Sequence, residues 1–227
     1  VTNPRRRGTY AKTAAKRKLI LDAALAAYAE AGSRGVSVTD IAQRVGMTDA
    51  GVLHHFGSRE ALLTAVLEAR DAAYTDTYGE AEALWRPDMV SHYASTPGLS
   101  QLFLDLAAAA TEPGHPGHTF FTERYHTLRA RFTDAFAAGR PAEGAPPTAA
   151  PDAAWAARMI IAASDGLQFQ WLLEPSIDMA DDLARLRDLM VDALGTTHTN
   201  HDHVADDGDG DGDDAAETAA DTNATYD

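Results

Sequence analysis

The residues best equipped for chemistry are the histidines and the carboxylates, and their spacing decides what they can do. His54 and His55 stand side by side in "GMTDAGVLHHFGSREAL", residues 46–62. Imidazoles act as general acids and bases or as metal ligands. Adjacent side chains on a helix diverge by about 100°, however, so this pair cannot close on one metal ion. His115, His118 and His126 form a second candidate set. His115 and His118 flank a Pro-Gly turn and have no acidic partner at ligand spacing. No G-x-S-x-G nucleophile elbow, H-E-x-x-H zinc motif or phosphate loop occurs. Cysteine is absent, which removes thiolate nucleophiles, thiolate metal sites and disulfides. The chain is therefore expected to be no enzyme and to need no cofactor or metal.

Near the C-terminus, "DGDGDG" from Asp207 to Gly212 reproduces positions 1, 3, 5 and 6 of a calcium-binding EF-hand loop. The bidentate glutamate of such a loop would fall at residue 218, which is threonine, and Glu217 is one place short. Flanking amphipathic helices are missing as well. His198, His201 and His203 could scavenge metal only weakly. The segment 198–227 reads as a disordered acidic tail, because it holds too few apolar residues to offset the entropy of ordering. A competition between this tail and nucleic acid for the basic N-terminus is a further possibility raised by its charge.

The formal net charge of −15 argues at first against a polyanion as partner. Its distribution reverses that reading. Residues 1–70 hold 11 Lys and Arg against 6 Asp and Glu, whereas residues 71–197 hold 8 against 18 and the tail none against 10. Affinity for a polyanion belongs to the first 70 residues. A hydrophobic content of 45% supports a packed core. No apolar run of about 18 residues and no apolar leader core is present, so a cytoplasmic protein without a membrane partner is expected.

The elements that position these residues are helical throughout. A basic arm carrying Arg5, Arg6 and Arg7 runs into a helix over 13–31, with Leu19, Ile20, Ala23, Ala24, Ala27 and Tyr28 at helical spacing. Ser37, followed three places on by Asp40, opens a short helix that stops at Gly46. Thr48 caps a second short helix ending near Phe56, and Ser58 caps a longer third. Two short helices across a glycine turn make a helix-turn-helix unit. Further helices are expected near 88–95, 99–112, 118–138, 152–173 and 179–195. They are separated by Pro- and Gly-rich breaks such as the loop 139–151, and they bring the count to about nine. The predicted fold is all-α. A helix-turn-helix domain occupies 1–57, a helical effector-binding and dimerisation domain 58–197, and the tail 198–227.

On the second short helix Thr48, Asp49, Ala50, Gly51, Leu53 and His54 can lie outward, while Val52 and Phe56 turn inward toward Met47 and Ile41. Small and hydrogen-bonding groups on the outer face suit the major groove of DNA. Residues 13–63 resemble the DNA-binding domain of the TetR family of transcriptional regulators. The resemblance rests on "ILDAALAAYAEAGSRGVSVTDIAQRVGMT", on "HHF" near the end of the recognition helix and on "SREALL" opening the next helix. It implies that Thr39, Asp49, Ala50, Gly51, Leu53 and His54 face base edges. It also implies that His55, Arg59, Lys16 and the arm arginines contact phosphates. Many members carry tyrosine where this chain has Leu53, so the operator cannot be borrowed from a relative. Asp49 can accept only from cytosine N4, and its better role is at the positive end of the helix dipole.

One such unit reads too few bases for genomic specificity, so a homodimer on a palindromic operator is expected. Trp155, Met159, Ala162, Gly166, Phe169 and Leu173 share one stripe of the helix 152–173. The last helix adds Leu183, Leu186 and Met190 to the expected interface. Aromatic stripes on 99–112 and 118–138 contain Phe103, Phe121 and Tyr125. With Tyr93, Asp165, Gln168 and Trp171 they are the candidates for contact with a small-molecule effector. The reading is a ligand-released repressor, with an activator as the alternative because the motif does not set the sign of regulation.

Overall fold

A computed structural model describes residues 4–31, 35–78, 95–138 and 152–195, the first seven of them as backbone. Among these residues all regular structure is α-helix, in eight elements. The expected helix near 88–95, the loop 139–151 and the acidic tail lie outside the described residues, as does Tyr93.

Helix α1 spans Pro4–Ala31, so the basic arm expected ahead of residue 13 is taken into the helix. Proline tolerates the first helical position, where its missing N–H costs nothing. The Arg-, Ala- and Lys-rich run behind it has high helix propensity. α2 (Val38–Arg44) and α3 (Asp49–Phe56) follow, separated by a turn in which Gly46 has φ +64. A side chain at that φ would be strained, which is why the turn carries glycine. α4 (Arg59–Tyr78) begins after Gly57, at φ +92. The chain continues as α5 (Pro97–Ala109), α6 (His118–Ala138), α7 (Ala153–Leu173) and α8 (Met179–Gly195).

Two hydrophobic clusters organise these helices. The first joins Ile20, Ala24 and Tyr28 of α1 to Ile41 of α2, Val52 of α3 and Leu62, Leu63, Val66 and Leu67 of α4. It runs on without a break into Leu99, Leu102, Phe103 and Leu106 of α5 and Phe121 of α6. The helix-turn-helix therefore has no separate core of its own: its apolar interior is continuous with that of the following helices. The second cluster gathers Phe136, Ala156, Ile160, Ile161, Met190 and Leu194 from α6, α7 and α8. Tyr125 packs against both.

Candidate nucleic-acid interface

Each part of the helix-turn-helix is held by a bond that its sequence foreshadows. The Ser37 hydroxyl accepts from the Asp40 N–H at 3.1 Å, and the Asp40 carboxylate accepts from the Ser37 N–H at 2.9 Å. Hydrogen bonds from the Ser37 hydroxyl and then from its N–H hold the Asp40 carboxyl below the usual carboxylate range. Thr48 caps α3 by accepting from the Gly51 N–H at 3.1 Å, and Ser58 caps α4 by accepting from Ala61 at 3.0 Å. These contacts satisfy N–H groups that the helix itself leaves unpaired. Arg44 clasps Glu30 with two bonds of 3.1 and 2.6 Å, tying α2 to α1.

The outward face has a mixed character. Lys16, Thr39, Thr48, Asp49, Ala50, His54 and Arg59 are exposed. His55, Gly51 and Leu53 are half-buried. Leu53 and Phe56 pack against the first core, so Leu53 offers only part of its side chain to the exterior. Gly51 serves packing as well. A β-carbon there would meet the Thr48 hydroxyl at 3.2 Å and the Met47 methyl at 3.4 Å, so its small size lets α3 close on its own cap. Asp49 accepts a 2.6 Å bond from the Thr39 hydroxyl. The carboxylate thus joins α2 to the first turn of α3, where the dipole favours it. The backbone of Arg5, Arg6 and Arg7 lies in α1.

Two packed arginines are not foreseen from the sequence. Arg17 turns inward from α1. Its guanidinium lies 4.1 Å from the centre of the Phe56 ring, and its Nη1 donates to the His55 carbonyl. Arg70 is 2% exposed in the middle of α4. It bonds Asp71 at 2.9 Å, and Asp71 accepts a 2.6 Å bond from Arg124 of α6. The two guanidiniums lie 5.4 and 5.3 Å from the Phe103 ring. A signal for Arg70 existed: it continues the apolar stripe Leu63, Val66 and Tyr74 at helical spacing, where a charge must have partners.

The candidate effector residues form a partial line. Phe103 and Phe121 are 5.5 Å apart, Phe121 and Tyr125 6.5 Å, and the Tyr125 hydroxyl donates to Asp165 at 2.6 Å. Phe103, Phe121, Gln168 and Trp171 are buried, and the Gln168 amide turns back to the Ser164 carbonyl of its own helix at 3.5 Å. Burial raises the Asp165 carboxyl above its ordinary value, with the Tyr125 hydrogen bond and the Arg124 charge opposing the shift. The native state thus holds the Asp165 proton more tightly than the unfolded chain does. Stability then falls as pH rises from the unfolded value through the raised one. Asp165→Asn keeps an acceptor for Tyr125 and removes the ionisation. Its melting temperature is expected to exceed the parent's at pH 7.5. The two should converge toward pH 4. An equal loss at both pH values would show that the carboxylate charge carries no cost.

At the far end, the α7 stripe reaches solvent. Trp155, Phe169 (57% exposed) and Leu173 (73%) are exposed, and a β-carbon on Gly166 would meet nothing within 4 Å. Met159 is half-buried against the second core. On α8 the placement differs from the expectation. Met190 is 7% exposed inside the second core, and Leu183 and Leu186 pack on it. The apolar side chains of α8 that face outward are Leu189 and Val191. Met190 is four residues from both Leu186 and Leu194, and that stripe covers α6 and α7 of its own subunit.

A capped, exposed second helix on a helix-turn-helix, fused to a larger helical body, defines a DNA-binding transcriptional regulator. Residues 20–66 match the family model described as bacterial regulatory proteins, tetR family. Over these residues the chain is similar to the N-terminal domain of the TetR family. No curated protein matches it by sequence. Among solved structures it is similar to two crystal structures of NalD, the secondary repressor of the MexAB-OprM multidrug efflux pump in Pseudomonas aeruginosa. The native form is 18% identical with a TM-score of 0.51, covering 81% of this chain and 98% of that one. The second is 20% identical, also at 0.51, covering 83% and 98%. At this identity the likeness concerns the fold. Among the described residues no helix is long and apolar enough to cross a membrane, and no three His, Asp or Glu are grouped to hold a metal ion.

Proposed function

We propose that the protein is a cytoplasmic repressor that binds a palindromic operator as a homodimer and is released by a small-molecule effector. The observation that carries DNA reading is α3 itself: Val52 locks its inner face into the core while Ala50 and His54 remain exposed on the outer one. The exposed apolar stripe of α7 supports the homodimer, since a soluble monomer rarely leaves such a row uncovered. The repressor sign is in keeping with the two structural neighbours. In this reading 1–57 is the DNA-binding part, 58–197 the regulatory part and 198–227 an acidic tail.

Release would run through α6. Consecutive residues of that helix grip different neighbours, Arg124 holding Asp71 of α4 and Tyr125 holding Asp165 of α7. An effector seated near Phe121 and Tyr125 that shifts α6 would pull on α4, and α4 opens directly behind α3. By linkage, a ligand preferring the shifted state weakens DNA affinity by the same factor that DNA weakens its own.

Site assignments for DNA are tested by two substitutions at exposed positions. Arg59→Ala is expected to weaken binding to all duplexes alike and to reduce the slope of log affinity against log salt by about one, as loss of a phosphate contact does. His54→Ala is expected to change the preferred sequence, with about 1–3 kcal/mol of discrimination lost at one base pair. Binding of both variants indistinguishable from the parent would remove these residues from the interface.

A further inference from the structure

We propose that Arg17 is the positioning residue that sets the recognition helix against the helix that clamps the backbone, and so determines how sharply the protein discriminates sequences. The inference rests on DNA reading by α3. Three observations place Arg17 in this role. Its guanidinium covers the Phe56 ring at 4.1 Å, and Phe56 is the last residue of α3. Its Nη1 donates to the His55 carbonyl, one of the terminal carbonyls that a helix cannot pair internally. Its positive charge sits at the negative pole of α3. One arginine thus satisfies a carbonyl, stacks on an aromatic face and complements the dipole, all at the end of a helix only 8 residues long.

The neighbours of Arg17 show what it connects. Lys16, the preceding residue, is exposed, whereas Arg17 is half-buried. α1 therefore presents one cation outward, toward a phosphate, and turns the next one inward onto α3. Burial raises the carboxyl of Glu68 on α4 and the Arg17 charge opposes that shift, so the field of the arginine reaches α4 as well. Gly57, at φ +92, follows Phe56 and offers no side chain to brace the turn between α3 and α4. Arg17 supplies that brace from another helix. Without it α3 keeps its inner anchor at Val52 but can pivot about it, moving His54 and Ala50 relative to the phosphate contacts. A protein in that state would still be held by phosphates and would read bases poorly.

The competing role is an ordinary phosphate contact, and the two separate experimentally. The full-length chain would first select its preferred 25-base-pair duplex from a random library. Binding would then be measured, across salt, to that duplex and to a shuffled duplex of the same composition. Arg17→Met and Arg17→Lys are both expected to lose about tenfold on the selected duplex, with affinity for the shuffled one and the salt slope unchanged. Lysine keeps the charge but cannot stack a planar fork on Phe56 while bonding a carbonyl. Backbone amides at 54–57 should exchange faster in both variants, with exchange in the α1 and α4 cores unaltered. The proposal is overturned if Arg17→Lys binds like the parent while Arg17→Met weakens both duplexes equally and flattens the salt slope by about one. Parent-like discrimination in both variants overturns it too. Should Arg17→Met fail to fold, Arg17→Lys and its amide exchange decide. If the unmodified chain selects no duplex at all, DNA reading itself fails and this role falls with it.

Discussion

Phe103→Ala is expected to destabilise the protein by about 3–5 kcal/mol, the usual range for removing a buried phenylalanine. Its melting point should drop by roughly 10 °C, at ~2–4 °C for each kcal/mol. Phe103 is 1% exposed and is the largest of the fully buried side chains. It sits in the core that joins α1 and α4 to α5 and α6, so the cavity would open between the DNA-binding helices and the rest. The substitution also strips the ring from beside two guanidiniums at once, those of Arg70 and Arg124. Both arginines bond Asp71, and neither is near enough to the surface to recover full hydration. Phe103→Leu refills much of the volume without the π-face. Its loss, measured by thermal and urea unfolding, should be smaller, and the part not explained by volume is what the ring contributes to the arginines. A loss in Phe103→Ala below about 1.5 kcal/mol would mean that this residue does little to hold the DNA-binding helices to α5 and α6.

The second large effect is expected at the other end. Phe169→Glu should turn the proposed dimer into a monomer at micromolar concentration and leave the fold intact. Phe169 is 57% exposed in the single chain, so replacing it disturbs no core contact. In a two-fold dimer each aromatic counts twice. A buried hot spot is worth about 2 kcal/mol or more, and the dimer dissociation constant should rise on the order of 10²–10³-fold. Sedimentation velocity reads the oligomeric state, and circular dichroism reads the helix content that should persist. Affinity for a palindromic duplex should fall far more than affinity for a single half-site. A Phe169→Glu protein that sediments like the parent would move the interface away from α7.

Much of this architecture was legible in the chain because it depends on local chemistry. Ser37 with Asp40, Thr48 before an eight-residue helix, and Gly46 at the turn each satisfy a backbone need within four residues. Such needs are written in residue type and spacing. The stripe of α7 was legible for a related reason: Trp155, Gly166, Phe169 and Leu173 recur at helical period whichever partner covers them. The same reasoning gave Met190, Leu183 and Leu186 to the interface, whereas within the single chain Met190 is buried in the second core with Leu183 and Leu186 packed on it. Period tells that a face is apolar, and it cannot tell whether that face meets its own subunit or another. Leu53 and Gly51 were read as outward because a two-turn helix has few positions to assign. The half-burial of both follows from how closely α3 seats on Met47 and the first core.

The sequence by itself determined the helical class, the helix-turn-helix with its caps and turn, the family that this motif resembles, and the segregation of positive charge to the first 70 residues. These are properties of neighbours along the chain, fixed by hydrogen-bonding needs and by the helical repeat. Only the tertiary structure decided that Arg17 closes over Phe56, that Asp71 stands between Arg70 and Arg124, and that Tyr125 meets Asp165. Arg17 and Phe56 are 39 positions apart, Asp71 and Arg124 53, and Tyr125 and Asp165 40. Contacts at such separations depend on how packed helices are rotated about their axes, and that rotation is set by the shape of the whole core rather than by any one segment.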